Sequence, residues 1–224
     1  EKILGVVLPE LSPEALAAAK PVVDACPAGE QALPARLAAL LLSLGEDGTR
    51  RTLRRLRCSN ACIEETAVLV REARGRDGSF SEDRPLGWDP VAEGNRAGDG
   101  MARIVSEEKA TVTPDFTIYA RRLLGKYNLC TVQRLAALGT ALQSERSADF
   151  AALSELAEQL DADGVCCRVS QLAVNGRDLM AAGVPAGPGI RKVLEALLDG
   201  VIREEYPNER QALLAAVHGN QFSA

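Results

Sequence analysis

The residues best suited to chemistry in this sequence lie in a glycine- and proline-rich turn followed by two cations. Residues 183–192 read GVPAGPGIRK, so Gly187 and Gly189 lie within five residues of Arg191 and Lys192 in a single turn-to-helix segment. The first amides of a helix have no partner within the helix, and together with the helix dipole they favour a bound phosphate. The same pattern also fits a well-capped helical hairpin that binds nothing, and spacing alone does not separate these two interpretations.

Two helices must position this turn. Asn175 suits the N-cap of the first helix, and Asp178 then lies near its positive end. Gly183 is predicted to end that helix, because glycine adopts a left-handed conformation without a Cβ clash. Pro188 suits the first position of the second helix, where its missing N–H costs nothing. That helix has an apolar stripe at helical spacing, formed by Val193, Leu194, Leu197, Leu198 and Val201.

Arginines in the N-terminal half form a second candidate surface. A helix is predicted over residues 49–58, in which Arg50, Arg54 and Arg57 would lie on one side. Leu53 and Leu56 on the opposite side would anchor this helix to the core. A row of arginines is usually a solvated face, so Arg54 and Arg57 are the second choice for contacts with a polyanion.

A third basic segment is the pair Arg121 and Arg122, within a helix predicted over residues 116–125. No acidic residue occurs between residues 116 and 144. Local charge of this kind matters more than the sum over the chain. We therefore include both arginines among the candidate phosphate contacts.

No catalytic constellation is visible in the sequence. Nucleotidyl transfer needs clustered carboxylates to hold Mg²⁺, and the pair Asp161 and Asp163 follows an acidic helix, so a solvated helix end explains it better. With His218 as the single histidine, no Ser/His/Asp or Cys/His arrangement is credible. The six cysteines lack the paired spacing of a zinc site. We expect no catalytic residue, metal ligand or cofactor in this chain.

Composition predicts an all-α protein. The chain has 224 residues, enough for one large or two small domains, and is 46% hydrophobic but only 4% aromatic. Ala, Leu, Glu and Arg dominate, which favours helices over sheets. The net charge of −5 argues against a general nucleic-acid binder. No apolar run approaches the ~18 residues of a membrane span. Without a visible signal peptide or disulfide framework, a cytoplasmic location is expected.

Residues 172–198, LAVNGRDLMAAGVPAGPGIRKVLEALL, closely resemble the C-terminal signature of bacterial CCA-adding tRNA nucleotidyltransferases, a branch of the poly(A) polymerase family. In that family a Gly–basic dipeptide precedes Asp-Leu, as Gly176 and Arg177 do here. A glycine-rich turn then opens a helix, and an Asn follows that helix, matched here by Asn208. Arg191 departs from the pattern, since the family usually has Gly there.

The N-terminal half resembles the HD-type helical domain that precedes this signature in many family members. Leu42 and Ser43 occupy the His-Asp positions. Arg71, Glu72 and Ala73 stand where further histidines normally occur. The resemblance therefore implies a degenerate HD-like bundle without its metal, although generic Leu-Ala-rich helices would also produce such a match.

The resemblance implies two domains. Residues 1–113 would form the degenerate HD-like body with a long loop at 75–113, and residues 114–224 the helical tail. The segments ARIV and ATVTP, around residues 102–114, could make a short hairpin. Because Glu1 is charged and is not Met, we expect the chain to begin within a longer protein.

The function implied by the resemblance is docking of tRNA at its elbow, through shape and backbone. The parent enzyme would transfer CMP and AMP from CTP and ATP to the tRNA 3′ end. Its N-terminal nucleotidyltransferase head, with Mg²⁺ and CTP or ATP, is expected outside this chain, which would be inactive alone. The candidate RNA contacts are Arg121, Arg122, Arg191, Lys192, the amides of Gly187 and Gly189, and then Arg54 and Arg57.

Two alternatives remain open at this point. One is an HD-type metal phosphohydrolase with a divergent site. The other is a non-enzymatic helical scaffold or dimerisation domain, and a homodimer could form in either case.

Overall fold

The chain is mainly helical in the residues that the computed structural model describes, which are 2–74, 105–106, 109–110, 114–143 and 146–219. A short antiparallel pair joins β1 (Val105–Ser106) to β2 (Lys109–Ala110). This pair agrees with the predicted hairpin, whereas the rest of the predicted loop at 75–113 lies outside the described residues. The all-α prediction is confirmed. The helices are α1 (Lys2–Val7), α2 (Pro13–Ala25), α3 (Leu33–Leu41), α4 (Gly45–Arg55), α5 (Asn60–Arg74), α6 (Pro114–Lys126), α7 (Leu129–Leu142), α8 (Ser147–Ala162), α9 (Gly176–Ala181), α10 (Gly189–Ile202) and α11 (Arg210–Gly219).

The chain divides into two compact units that do not follow sequence order. The first unit contains residues 1–112 and 130–155, and the second contains residues 113–129 and 156–224. The predicted domains at 1–113 and 114–224 stay a prediction.

The first unit is built on packing among α2, α3, α4 and α5. Its core includes Leu8, Leu11, Leu41, Leu53 and Ile63, all buried. Each such side chain contributes on the order of 1.5–3 kcal/mol by leaving water. Leu53 is fully buried, so α4 is anchored through this residue as predicted. The prediction is wrong for Leu56, which is 37% exposed because α4 ends just before it.

Helix α4 begins and ends earlier than its sequence predicts. Gly45 has a left-handed φ of 68°, which breaks the path of α3 as expected of glycine. The new helix nevertheless starts at Gly45, after a 3-10 turn over Leu42–Leu44, and acidic residues occupy its positive end. Because α4 ends at Arg55, Arg57 lies beyond the helix and not in line with Arg50.

The second unit packs α9, α10 and α11 around a core that includes Leu179, Val193, Leu197 and Leu213. Helix α6 contacts α10 in this unit. No helix in the described parts of the chain has the length and apolar character that a bilayer crossing needs.

Candidate nucleic-acid interface

The predicted helical hairpin is present in the second unit, with the caps that its sequence indicates. The Asn175 side chain accepts from the amides of Arg177 and Asp178 at 2.8 and 3.3 Å, and Asp178 accepts in return from the Asn175 amide at 3.0 Å. Gly183 ends α9 with a φ of 96°. The Val184 amide then donates to the Leu179 carbonyl at 3.0 Å. Reciprocal capping and a glycine stop therefore fix both ends of a helix only six residues long.

The turn that joins α9 to α10 is exposed along residues 185–189. Gly187 has a φ of 150°, which a residue with a Cβ adopts rarely. No side chain caps the first amides of α10, in contrast to α9. The Ile190 amide donates to the Gly187 carbonyl at 3.2 Å, and the other first amides of this 14-residue helix have no side-chain cap at its positive end.

Both predicted cations at this turn reach solvent. The Arg191 side chain is 85% exposed, and its Nε donates to Glu195 at 2.8 Å. Lys192 is exposed and forms no ion pair with any residue that the structure describes. An exposed i, i+4 pair such as Arg191–Glu195 is weak, so a phosphate can compete with it.

Arg177 joins this cluster, although sequence reasoning did not select it. A Cβ on Gly176 would lie 3.2 Å from Ile190 Cγ2, so the start of α9 lies against the start of α10. The Arg177 side chain is exposed and has no ion pair within the described residues. The available signal was its place in the first turn of a helix whose N-cap is Asn175.

Side chains from the α11 region hold this hairpin in place. Arg210 Nη2 donates to Asp178 Oδ1 at 2.6 Å, so this carboxylate serves both the cap and an ion pair. Asn208 accepts from the Ala173 amide and donates to the Gln171 carbonyl, each at 2.9 Å. The Asn of the signature therefore has a structural role, because it fixes the segment that enters α9.

The structure does not bring Arg121 and Arg122 to the turn. Arg121 is only 13% exposed and donates to the Ile202 carbonyl at 3.1 Å and to Glu204 at 2.6 Å. Arg122 donates to Asp199 at 2.9 Å. These partners lie in the last turn of α10 or just beyond it. At 1.5 Å per residue, Asp199 is about 12 Å along the axis from Arg191, so the two arginines serve the opposite end of the helix.

The Asp199 carboxylate is the centre of this second cluster. Burial alone would raise its pKa, but hydrogen bonds from Arg122 and Arg203 outweigh burial and lower the pKa below the ordinary aspartate value. Asp199 is thus held as an anion between two guanidinium groups. Its interactions tie α6 to the end of α10.

In the first unit, the two predicted arginines of the α4 region are both exposed. Arg54 lies 3.9 Å from Glu64, with both side chains more than half exposed. Arg57 follows the end of α4 with a left-handed φ of 58°. Neither residue belongs to the unit that contains the turn.

The positions that resemble an HD site are occupied by an arginine-based network. Arg74 Nη1 donates to the carbonyls of Leu42 and Ser43 at 2.9 and 2.8 Å. Arg71 forms ion pairs with Glu46 and Glu72, each at 3.2 Å. Within the described residues no group of three or more His, Cys, Asp and Glu side chains is placed to hold a metal ion. The degenerate HD-like identity of this unit stays a prediction.

These features define a helical protein with an exposed, cationic helix–turn–helix surface. A family model described as "tRNA nucleotidyltransferase domain 2 putative" matches residues 103–217, just over half of the chain. The chain belongs to this family. The predicted relationship to CCA-adding enzymes is thereby confirmed.

Two curated relatives match shorter segments. The CC-adding tRNA nucleotidyltransferase of Shouchella clausii is 41% identical over 61 residues, which are 27% of this chain and 16% of the relative. The CCA-adding enzyme of Levilactobacillus brevis is 52% identical over 46 residues, 20% of this chain and 12% of the relative. The matches therefore leave most of each relative uncovered. No solved structure matches the chain significantly.

Proposed function

We propose that this chain is a tRNA-docking region of a CCA-adding tRNA nucleotidyltransferase, and that the turn between α9 and α10 contacts the RNA backbone. The observation that carries the proposal is the exposed cluster of Arg177, Arg191 and Lys192 beside the uncapped N-terminus of α10. Guanidinium and ammonium groups with free amides match phosphate oxygens in charge and in hydrogen bonding. This cluster lies within the segment that the family model covers.

Backbone contacts suit the tRNA elbow, which is recognised through shape, phosphates and 2′-hydroxyls. The amides of Gly187 and Gly189 would contact one phosphate, with Arg191 and Lys192 on either side. In the whole enzyme a head domain would carry Mg²⁺ and CTP or ATP and transfer CMP and AMP to the 3′ end. A cytoplasmic location goes with this function.

For Arg121 and Arg122 the predicted phosphate contact would require exchange of an existing partner. Arg121 would have to leave Glu204, and Arg122 would have to leave Asp199. Their loss would also loosen the attachment of α6 to α10. We therefore propose that these arginines support docking mainly by holding the hairpin.

Titration of fluorescent tRNA at several salt concentrations tests the proposal. The triple variant Arg177→Gln/Arg191→Gln/Lys192→Gln should bind tRNA at least tenfold more weakly at low salt. The plot of log affinity against log salt should become shallower, its slope decreasing in magnitude by about 2, since each phosphate contact contributes about 0.7–0.9. All three side chains are exposed, so the melting temperature should not change.

Two single variants serve as controls. Lys20→Gln removes one exposed cation of α2 and should leave the affinity unchanged. Glu195→Gln removes the carboxylate that accepts from Arg191 and should strengthen binding about two- to threefold, an effect expected of one weak surface pair. Failure of the unaltered chain to bind tRNA even at low salt would refute the proposal. Sedimentation with and without tRNA in the same buffers tests homodimer formation.

A further inference from the structure

The arginines in and after α4 fall into two structural sets. Arg50 donates to Glu46 and, at 2.7 Å, to Glu64, which fixes α4 against α5. Arg55 donates to Glu10 at 2.9 Å and to the Val7 carbonyl at 2.8 Å. These two arginines are cross-links within the first unit and are already engaged.

The other set is Arg51, Arg54 and Arg57, which are exposed. Arg51 and Arg54 lie one turn apart on the same side of α4, and Arg57 follows three residues later, just past the helix end. Arg51 and Arg57 have no ion pair or side-chain hydrogen bond within the described residues. The 3.9 Å contact of Arg54 with Glu64 is exposed on both sides and weak.

Arg57 occupies a backbone position that favours glycine. The Cys58 amide donates to the Leu53 carbonyl and the Arg57 amide to the Arg54 carbonyl, both at 3.0 Å. This is the Schellman pattern, in which the residue after the cap is left-handed and is usually glycine. A side chain at a φ of 58° is disfavoured by its own Cβ.

The end of α10 provides a comparison, because Glu204 occupies the equivalent position with a φ of 61°. The Glu205 amide donates to the Gly200 carbonyl and the Glu204 amide to the Val201 carbonyl, as at α4. Glu204, however, accepts from Arg121 at 2.6 Å, so its side chain has an internal role that offsets the strain. Among the residues that the structure describes, nothing comparable engages Arg57.

We propose that Arg51, Arg54 and Arg57, termed here the arginine row, bind successive phosphates of an RNA strand, as a contact separate from the turn of the second unit. Strained non-glycine residues cluster at functional sites, so the conformation of Arg57 supports a function for its side chain. Arginine is suited to phosphate because its planar guanidinium can donate two parallel hydrogen bonds. RNA is the expected polyanion because the chain belongs to a tRNA nucleotidyltransferase family. This inference rests on the proposed function.

The sharpest test is Arg57→Gly, which should raise stability and lower RNA affinity at once. Glycine adopts the left-handed conformation without strain, so the melting temperature should rise. For a protein of about this length, we expect a rise of about 2–4 °C from relieving one such residue. The affinity for tRNA at low salt should fall about three- to tenfold. A residue kept only for structure would not give opposite changes in these two measurements.

Glu204→Gly is the matched control. It relieves the same backbone strain but removes the partner of Arg121. Its melting temperature should therefore not rise, and an increase as large as that of Arg57→Gly would show that the side chain of Glu204 does not offset the strain.

A second variant, Arg51→Gln/Arg54→Gln/Arg57→Gln, measures the whole arginine row. The salt slope of tRNA binding should fall by about 2, again at about 0.7–0.9 per phosphate contact. If the unaltered chain binds tRNA and this variant binds with the same affinity and slope, the arginine row is not an RNA contact. Altered sedimentation of the variant with unchanged tRNA affinity would instead assign the row to a protein partner. If the unaltered chain does not bind tRNA at all, the proposed function itself fails.

Discussion

Within the second unit, some close backbone contacts are possible only because a residue has no Cβ, and Gly125 is the clearest case. A Cβ at Gly125 would overlap the carbonyl oxygen of Cys167. Arg168 follows directly and donates to the Leu124 and Tyr127 carbonyls, which closes the end of α6. The glycine of α6 is thus required by a neighbouring backbone and not by its own conformation.

Gly125→Ala should destabilise the protein by about 1–3 kcal/mol, the usual cost of overpacking, because the carbonyl it meets is backbone and cannot swing away. The free energy of unfolding from denaturant titration measures this change. Gly189→Ala is the control, since a Cβ at that position meets no atom within 4 Å. Equal stability of the two variants would contradict the close approach.

Asp199 gives a prediction for pH dependence. Its pKa is lowered in the folded protein, so its stabilising effect is full above the unfolded value of about 3.9 and is lost as pH falls through the folded value. Asp199→Asn should therefore reduce the free energy of unfolding at pH 7, and the gap to the unaltered protein should narrow below about pH 4. Asp163→Asn, at an exposed position, should show no such gap. A gap that stays constant down to pH 2 would exclude this role for Asp199.

At the scale of elements, α9 is too short to be stable alone and depends on its ends. A helix of six residues is marginal in water without tertiary support. Asn175 and Asp178 satisfy its first amides, while Gly183 closes its last turn. Arg210 and Asn208 then attach the segment to the region of α11.

Asn175→Ala should cost about 0.5–2 kcal/mol of stability, which is the range for loss of an N-cap. Asn175→Asp should retain most of that stability, because its oxygen can accept the same two amide protons. Thermal unfolding followed by circular dichroism distinguishes the two variants. If Asn175→Ala melts like the unaltered chain, the cap does not stabilise α9.

For the whole molecule, charge distribution matters more than the net charge of −5. The acidic excess opposes general attraction of nucleic acid at long range, so the proposed RNA binding would depend on local cationic surfaces. Among the described residues, the proposed surfaces are the arginine row in the first unit and the turn between α9 and α10 in the second. Salt dependence measured on single variants of each surface separates their contributions.

Local rules predicted much of the fold. Most helix positions, the Asn175 cap and the Gly183 stop follow from spacing, because these depend on residues a few positions apart. The relation to CCA-adding enzymes came instead from the resemblance of residues 172–198 to that family. The α4 boundaries were predicted less well, since Gly45 both breaks one helix and begins another. The predicted likeness of the first unit to an HD domain stays a prediction.

The sequence by itself determined that this chain is helical, that it resembles the C-terminal region of a CCA-adding enzyme, and where its cations lie along the chain. Only the tertiary structure decided which cations are engaged. Arg121 forms an ion pair with a carboxylate that is 83 residues away in sequence, and Arg55 with one that is 45 residues away. Arg57 and Arg177 form no ion pair among the described residues. The physical reason is that an ion pair depends on distance in space, and packing brings together residues whose separation in sequence carries no local signal.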